Sequence, residues 1–203
     1  MNETDCLMHP IDARFSELFK KTFGLDNNEY EYLLSHFVHI ELKKGGYYHR
    51  AGRISYSKAY INKGCTRTFV KNQDGKESIL FFSFEDWWLC DFASFNSGNT
   101  GTFNTEALED CELLEITKDH WNMLRREVPK LDLWYTLKGP KSAGALLDRL
   151  SEEKLFSAEE RYLSLLKNKS YILQRVPLKY IAAYLNIEPQ SLSRMRSRLA
   201  KNK

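Results

Sequence analysis

No apolar run in the 203 residues approaches the ~18 that a membrane-spanning helix requires, so no span is expected. The first six residues, Met-Asn-Glu-Thr-Asp-Cys, offer neither a basic start nor an apolar stretch, and no export signal is read there. The expected setting is the cytoplasm of a bacterium. Cysteine is sparse. Cys6, Cys65, Cys90 and Cys111 are scattered without a CxxC pair, which points to reduced, buried thiols rather than to disulfides or an iron–sulfur site. Histidine is sparse too. His49 is the only one between residues 40 and 116, so the clustered His and Glu of a metal-holding enzyme roll are missing. His36 and His39 stand three apart, a spacing that suits a metal, but no third ligand accompanies them. No metal site and no catalytic residue is assigned. Internal repeats and low-complexity segments are also lacking.

The net charge is only +3, and that near-balance hides a segregation. Residues 161–203 hold ten Lys or Arg against one acid, Glu188, whereas residues 1–160 hold 20 bases and 26 acids. A basic tail on an acidic body is the electrostatic footprint of a polyanion partner. The tail also carries a motif. Residues 178–185 place Leu178, Ile181, Ala182 and Leu185 on one apolar helical face. Asn186 suits the left-handed conformation that ends a helix, Ile187 plugs the turn, and Pro189 can open a second helix. There Leu192, Met195 and Leu199 recur at helical spacing and face inward, leaving Gln190, Ser191, Arg194, Arg198 and Lys201 outside. Two short helices with an outer face of amide, hydroxyl and guanidinium groups make a helix-turn-helix, the reading element of the DNA major groove. The small Ala182, where the second helix must cross closely, and the local charge argue against an ordinary pair of surface helices.

Hydrophobic residues make up 42% of the chain, enough for one large globular domain or two modest ones. Residues 11–40 read as helical: Phe15, Leu18, Phe19 and Phe23 recur at helical spacing, Gly24 is a stop, and an amphipathic stretch restarts at Glu29. From Ile40 to Ile116 the texture becomes β. Glycines punctuate short β-branched and aromatic segments, and Asn72-Gln73-Asp74-Gly75 between Thr66-Arg67-Thr68-Phe69-Val70 and Ser78-Ile79-Leu80-Phe81-Phe82 is a hairpin signal. Many short strands with frequent turns predict a closed, jelly-roll-type β-structure with room for a small ligand. The helical period returns with Trp121, Leu124 and Val128, then Leu131, Trp134, Leu137, Leu146, Leu147 and Leu150. That apolar stripe predicts a dimer seam, kinked or restarted at Gly139-Pro140. Ser157-Ala158-Glu159-Glu160 is a capping box for the helix that leads into the tail.

This order of parts resembles the Crp/Fnr family of bacterial transcription regulators over nearly the whole chain. The resemblance is carried by Tyr60-Ile61-Asn62-Lys63-Gly64, by Asp74-Gly75-Lys76-Glu77 and by Glu106-Ala107-Leu108-Glu109-Asp110. It is strongest from Gln174 to Arg194. It implies an α+β chain: an N-terminal β-roll of jelly-roll, cyclic-nucleotide-binding-like type over 1–128, a long linking and dimerisation helix over 129–156, and a C-terminal winged helix-turn-helix domain over 157–203. It implies a homodimer on a two-fold double-stranded DNA operator, with RNA polymerase as a further partner. The base-reading positions fall on Pro189, Gln190 and Arg194, with Ser191 beside them; Pro189 has no donor, so the operator should differ from the family's usual one. Ser193, Arg196, Arg198 and Lys201 are placed for phosphates, as Ser191 can be. The ligand cassette departs from the pattern. Relatives that bind cyclic AMP carry a Glu for the ribose and an Arg for the phosphate. Here Asp91 stands near the Glu position, Thr102 near the following Ser, and Thr100 or Gly101 where the Arg belongs. With Trp88 and Phe92, and with Trp87 and Phe95 as further lining, these residues outline a pocket for an altered small-molecule effector, or for none, rather than for cyclic AMP bound in the usual way. The family's oxygen-sensing type needs a cysteine cluster that Cys6 alone cannot supply, and haem ligation by Cys65 or His49 has no support. Two other readings compete. One is a small-ligand sensor module with vestigial DNA contacts, against which the basic tail and Ser193-Arg194 argue. The other is a metal-dependent enzyme roll, already weakened by the missing histidines.

Overall fold

The computed structural model describes residues 10–131 and 151–201. Two helices lead in. In α1 (Pro10–Phe23) Phe15 and Phe19 lie one turn apart and both are buried, and Gly24 follows it at φ +59°. α2 (Asn27–Leu34) begins in a capping box: Asp26 accepts from the Glu29 N–H, and Glu29 accepts from the Asp26 N–H. The helical expectation for residues 11–40 overruns. Helix α2 stops at Leu34 and β1 (Val38–Leu42) follows, because these five residues pair in unbroken register with a strand about 70 positions away. Ladder pairing outweighs local periodicity there.

Seven more strands follow: β2 (Tyr47–His49), β3 (Ser57–Lys63), β4 (Thr66–Lys71), β5 (Glu77–Ser83), β6 (Trp88–Leu89), β7 (Asn104–Ala107) and β8 (Cys111–Thr117), with α3 (Phe92–Ser97) between β6 and β7. All pairs are antiparallel, in two four-stranded sheets ordered β1-β8-β3-β6 and β2-β7-β4-β5. The predicted jelly-roll texture and the β4–β5 hairpin are both present. Alternation along the strands sets the layers. Ala59, Ile61 and Leu113 point into the roll, while Tyr60, Leu114 and Ile116 point outward onto α1, α2 and α4 (Lys118–Glu127), meeting Phe15, Tyr30 and Trp121. Gly64, at the end of β3, holds φ +114°, and a Cβ there would collide with the Cys111 Sγ. This close approach explains the glycine of the quoted strand-end motif.

After α4, residues 130–131 and 151–155 are helical. The middle of the expected dimer helix, with Trp134, Leu137, Gly139-Pro140, Leu146, Leu147 and Leu150, lies outside the described residues, as does Cys6. Four helices close the chain: α5 (Ala158–Asn168), opened by the predicted Ser157/Glu160 capping box, α6 (Ser170–Arg175), α7 (Leu178–Tyr184) and α8 (Pro189–Lys201). No strand occurs among residues 151–201, since α6 bridges α5 to α7 and the backbone bonds there are helical. Among the described residues no helix is long and apolar enough to cross a membrane.

Both faces of the β4–β5 pair are buried, and the outer one is covered by these helices. Phe69, Ile79 and Phe82 share one apolar cluster with Tyr162, Ile172, Ile181 and Leu185. The Phe82 and Tyr184 rings lie 5.4 Å apart, those of Phe84 and Tyr171 4.9 Å, and the Arg67 guanidinium sits 4.1 Å over Tyr180. An ionic clasp closes the contact. Arg175 of α6 donates two bonds of 2.7 and 2.8 Å to Glu85 and reaches Glu109 as well, while the Gly64 N–H donates to Glu85 at 2.9 Å. Burial alone would raise the Glu85 carboxyl, but the Arg175 and Gly64 donors outweigh it and bring the group down to about 2.

Arg175→Ala leaves two half-buried carboxylates facing each other, and a loss of about 1.5–3 kcal/mol at neutral pH is expected from urea unfolding. A carboxyl depressed in the folded chain contributes fully above its ordinary 4.5 and progressively less as the pH falls toward about 2. The deficit of the variant should therefore shrink through that acid window.

Candidate functional site

The closing pair of helices is built as its residues dictate. Ile181, Ala182 and Leu185 on α7 are fully buried, as predicted. Leu178, assigned to the same face, is 43% exposed: Pro177, Leu178 and Lys179 all stand in solvent, so the first turn projects clear of the contact. Asn186 takes the left-handed conformation at φ +55°, and the Ile187 N–H returns to the Ala182 carbonyl at 3.0 Å. This is the hydrogen-bonding logic of a helix stop. The Arg161 guanidinium of α5 donates to the Leu185 carbonyl at 2.8 Å, satisfying another end group. Pro189 opens α8, where its missing N–H costs nothing. Leu192 is buried, with Met195 and Leu199 half-buried beside it.

The opposite side of α8 is open. Gln190, Ser193, Arg194, Arg196, Arg198 and Lys201 are all exposed, and Ser191 is half-buried. The Arg194 guanidinium lies 3.4 Å from the Ser191 hydroxyl, and Arg198 pairs with Glu159 of α5. Such exposed pairs contribute little, so they leave these donors available. Gln190, Ser191, Arg194, Arg198 and Lys201 thus share one helix face, while Ser193 and Arg196 lie on its flank, exposed as well. The clasp residues Arg175, Glu85 and Glu109 were not singled out from the sequence. Their pairing spans 90 and 66 positions, and no local pattern signals it.

The expected pocket residues part company. Trp88 is turned into the core against α1 and α4, with ring centroids 6.0 Å from Phe19 and 6.1 Å from Trp121, and Phe95 is buried in the same cluster. The Lys58 ammonium lies 4.7 Å over the Trp88 ring, and burial holds its pKa well below the usual lysine value. Trp87 and Phe92 are exposed, as are Thr100 and Thr102. Asp91 is the exception, 2% exposed at the head of α3. Its Oδ1 accepts from the Ser94 N–H at 3.0 Å and its Oδ2 from the Thr102 N–H at 3.3 Å. The Gly101 N–H goes to the Arg53 carbonyl at 2.8 Å, and the Asn99 N–H to the Ser97 hydroxyl at 3.1 Å. The donors that a cyclic phosphate would need are therefore taken internally, partly by a carboxylate, and residues 88–103 contain no Lys or Arg. Residues 88–103 themselves thus offer an anionic ligand no cation.

His49 lies beside it. Its Nε2 is buried without a hydrogen-bond partner, 3.8 Å from Asp91 Oδ2, and a Cβ on Gly101 would strike both side chains. Among the described residues no group of three or more His, Cys, Asp or Glu is arranged to hold a metal. Cys65 and Cys111 are buried free thiols, and burial pushes Cys111 up to about 11. Burial also lowers the His49 pKa, against an opposing pull from Asp91. An imidazole so depressed binds its proton more readily in the unfolded chain, so stability is full above about 6.5 and declines as the pH falls through that value. In His49→Gln, urea midpoints are expected to change less between about pH 7 and 5 than in the unaltered chain.

The comparisons with known proteins agree with this architecture. Residues 39–127 match the cyclic nucleotide-binding domain family. No curated protein sequence matches the chain. Among solved structures it is similar to the c-di-GMP-responsive global regulator CLP of Xanthomonas campestris, with a TM-score of 0.73 at 16% identity over 87% of this chain and 93% of that one. A protein from Eubacterium rectale assigned to the Crp/Fnr family of transcriptional regulators gives 0.71 at 16%, over 91% and 87%. The catabolite activator protein of Thermus thermophilus gives 0.54 at 22%, over 91% and 87%. Identities this low speak for the fold. The chain holds a cyclic nucleotide-binding-like β domain followed by helices, a fold it shares with solved Crp/Fnr-family proteins.

Proposed function

We propose that the chain is a cytoplasmic, sequence-specific DNA-binding transcription regulator of the Crp/Fnr type that acts as a homodimer. Residues 1–128 serve as the sensor, 129–156 as the linking and dimerisation helix, and 157–203 as the helix-turn-helix reading unit. One observation carries the reading: α8 turns an uninterrupted exposed face of amide, hydroxyl and guanidinium groups to solvent, in a tail whose single acid is Glu188. Gln190 presents a bidentate amide suited to adenine, and Arg194 a fork suited to the O6 and N7 of guanine, with Ser191 beside them. Ser193, Arg196, Arg198 and Lys201 take phosphates, which orient the protein without reading sequence. Two copies related by a two-fold axis would address half-sites ~34 Å apart, or a multiple of that. RNA polymerase is the natural second partner of such a regulator.

The effector of the roll is not a cyclic nucleotide bound in the usual way. Thr100 or Gly101 stands where the phosphate-binding Arg belongs, and the nearby Asp91 carboxylate already takes the Ser94 and Thr102 N–H groups, so a phosphate there would lack a guanidinium partner. Whatever small molecule acts on the roll does so only by binding one arrangement of the dimer more tightly than the other.

Selection from a random duplex pool should yield a two-fold site, and failure to prefer any duplex over bulk competitor would sink the reading. On that site Arg194→Ala is expected to cost ~1–3 kcal/mol and to relax one base pair per half-site, whereas Lys201→Ala weakens all sequences and flattens the salt dependence. Indistinguishable behaviour of the two would refute the division between reader and anchor. A ligand at ~100 times its Kd adds roughly 2.7 kcal/mol to stability, and cyclic AMP is expected to give no such thermal shift.

A further inference from the structure

The turn between β4 and β5 belongs to the roll, yet it ends at the reading helix. It is an ordered turn. The Lys76 N–H donates to Asn72 Oδ1 at 2.8 Å, the Asn72 N–H to the Lys76 carbonyl at 3.0 Å, and the Gly75 N–H to the Asn72 carbonyl at 3.0 Å. From this base the Lys76 ammonium extends to 3.5 Å from Glu188 Oε1, with side-chain exposures of 76% and 68%. Glu188 directly precedes Pro189 and caps α8 through its carbonyl, which accepts from the Ser191 and Leu192 N–H groups at 2.9 and 3.1 Å. An exposed pair of this length adds little to stability and does not account for the hairpin's position. That position comes from the buried contacts behind it, Phe82 on Tyr184 and Arg67 over Tyr180. The other charges of the turn are accounted for: Lys71 lies 3.4 Å from Glu77, and Asp74 is engaged by the Asn72 amide at 3.4 Å.

A helix that enters the major groove by its N-terminus brings the residues just before it alongside the phosphate wall of a groove ~12 Å wide. Here that place holds Glu188, the single acid of the tail, with a roll lysine beside it. We infer that Lys76 is a DNA-backbone contact contributed by the sensor roll, taking a phosphate beside the groove that α8 enters while offsetting Glu188. This inference rests on the DNA-reading role of α8.

The test is equilibrium binding of the full chain to its selected duplex and to a non-specific duplex across a salt series. Lys76→Ala should weaken both complexes by similar factors and lower the slope of log K against log salt by about 0.9 per protomer, or about 1.8 for a dimer. Glu188→Gln removes an anion from the interface and frees Lys76, so it should tighten both complexes. An unchanged slope in Lys76→Ala overturns the inference while leaving α8 as the reader. Weakening by both substitutions overturns it too, since Lys76 would then act only by holding Glu188. If the unaltered chain binds no duplex, the DNA-reading role itself fails, which is evident before any variant is compared.

Discussion

The architecture depends on one contact, the burial of the outer face of β4 and β5 under the C-terminal helices. A unit of some 45 residues seldom closes an adequate core on its own, and this one does not. Ile181, Ala182, Leu185 and Leu192 join Phe69, Ile79 and Phe82 in a single cluster. The aromatic pairs supply area, and Arg175 supplies direction, because its two forked bonds to Glu85 allow a single orientation. The closing helices are therefore carried on the roll and not merely tethered to it. Side chains of β5 touch α7 through Phe82 and Tyr184, and those of the Glu85 turn touch α6 through Arg175 and Tyr171.

The sensor end follows the opposite logic. Cyclic nucleotide-binding folds keep a donor-rich cassette, and this chain closes that cassette on itself. Asp91 draws in the Ser94 and Thr102 N–H groups, the Gly101 N–H goes to Arg53, and the indole of Trp88 faces the N-terminal helices. The roll matches the domain family, while the Asp91 carboxylate and the Arg53 carbonyl take backbone donors of residues 94–102 from within. Burying His49 with an unsatisfied ring nitrogen beside Asp91 has an energetic cost, offset by the packing around Gly101, where no side chain fits.

Much of this was legible in the amino-acid order. The β4–β5 hairpin announced itself through Asn72-Gln73-Asp74-Gly75, the α5 start through Ser157 and Glu160, and the turn before α8 through Asn186 and Pro189. Each is a local signal whose physics acts within four or five residues. The exposed polar face of α8 was legible for the same reason, since helical spacing alone separates Leu192 and Leu199 from Gln190 and Arg194. The errors arose where distant partners intervene. Residues 38–40 had a helical context but were claimed by β8, and Leu178 followed the apolar period but found no surface to cover. Of the pocket outline, Trp88 turns toward the N-terminal helices while Phe92 and Thr102 stand exposed, a difference that position along the chain does not reveal.

Composition and order alone determined the succession of elements, the segregation of charge and the identity of the exposed donors on α8, because those properties depend on neighbours along the chain. Tertiary structure decided which faces of the roll were covered, what Asp91 bonds to, and that Arg175 meets Glu85 across 90 residues. It also decided that a lysine of the roll stands beside the first turn of α8. Such pairings are set by how layers stack, and long-range complementarity between two amphipathic surfaces leaves no periodic trace in either segment.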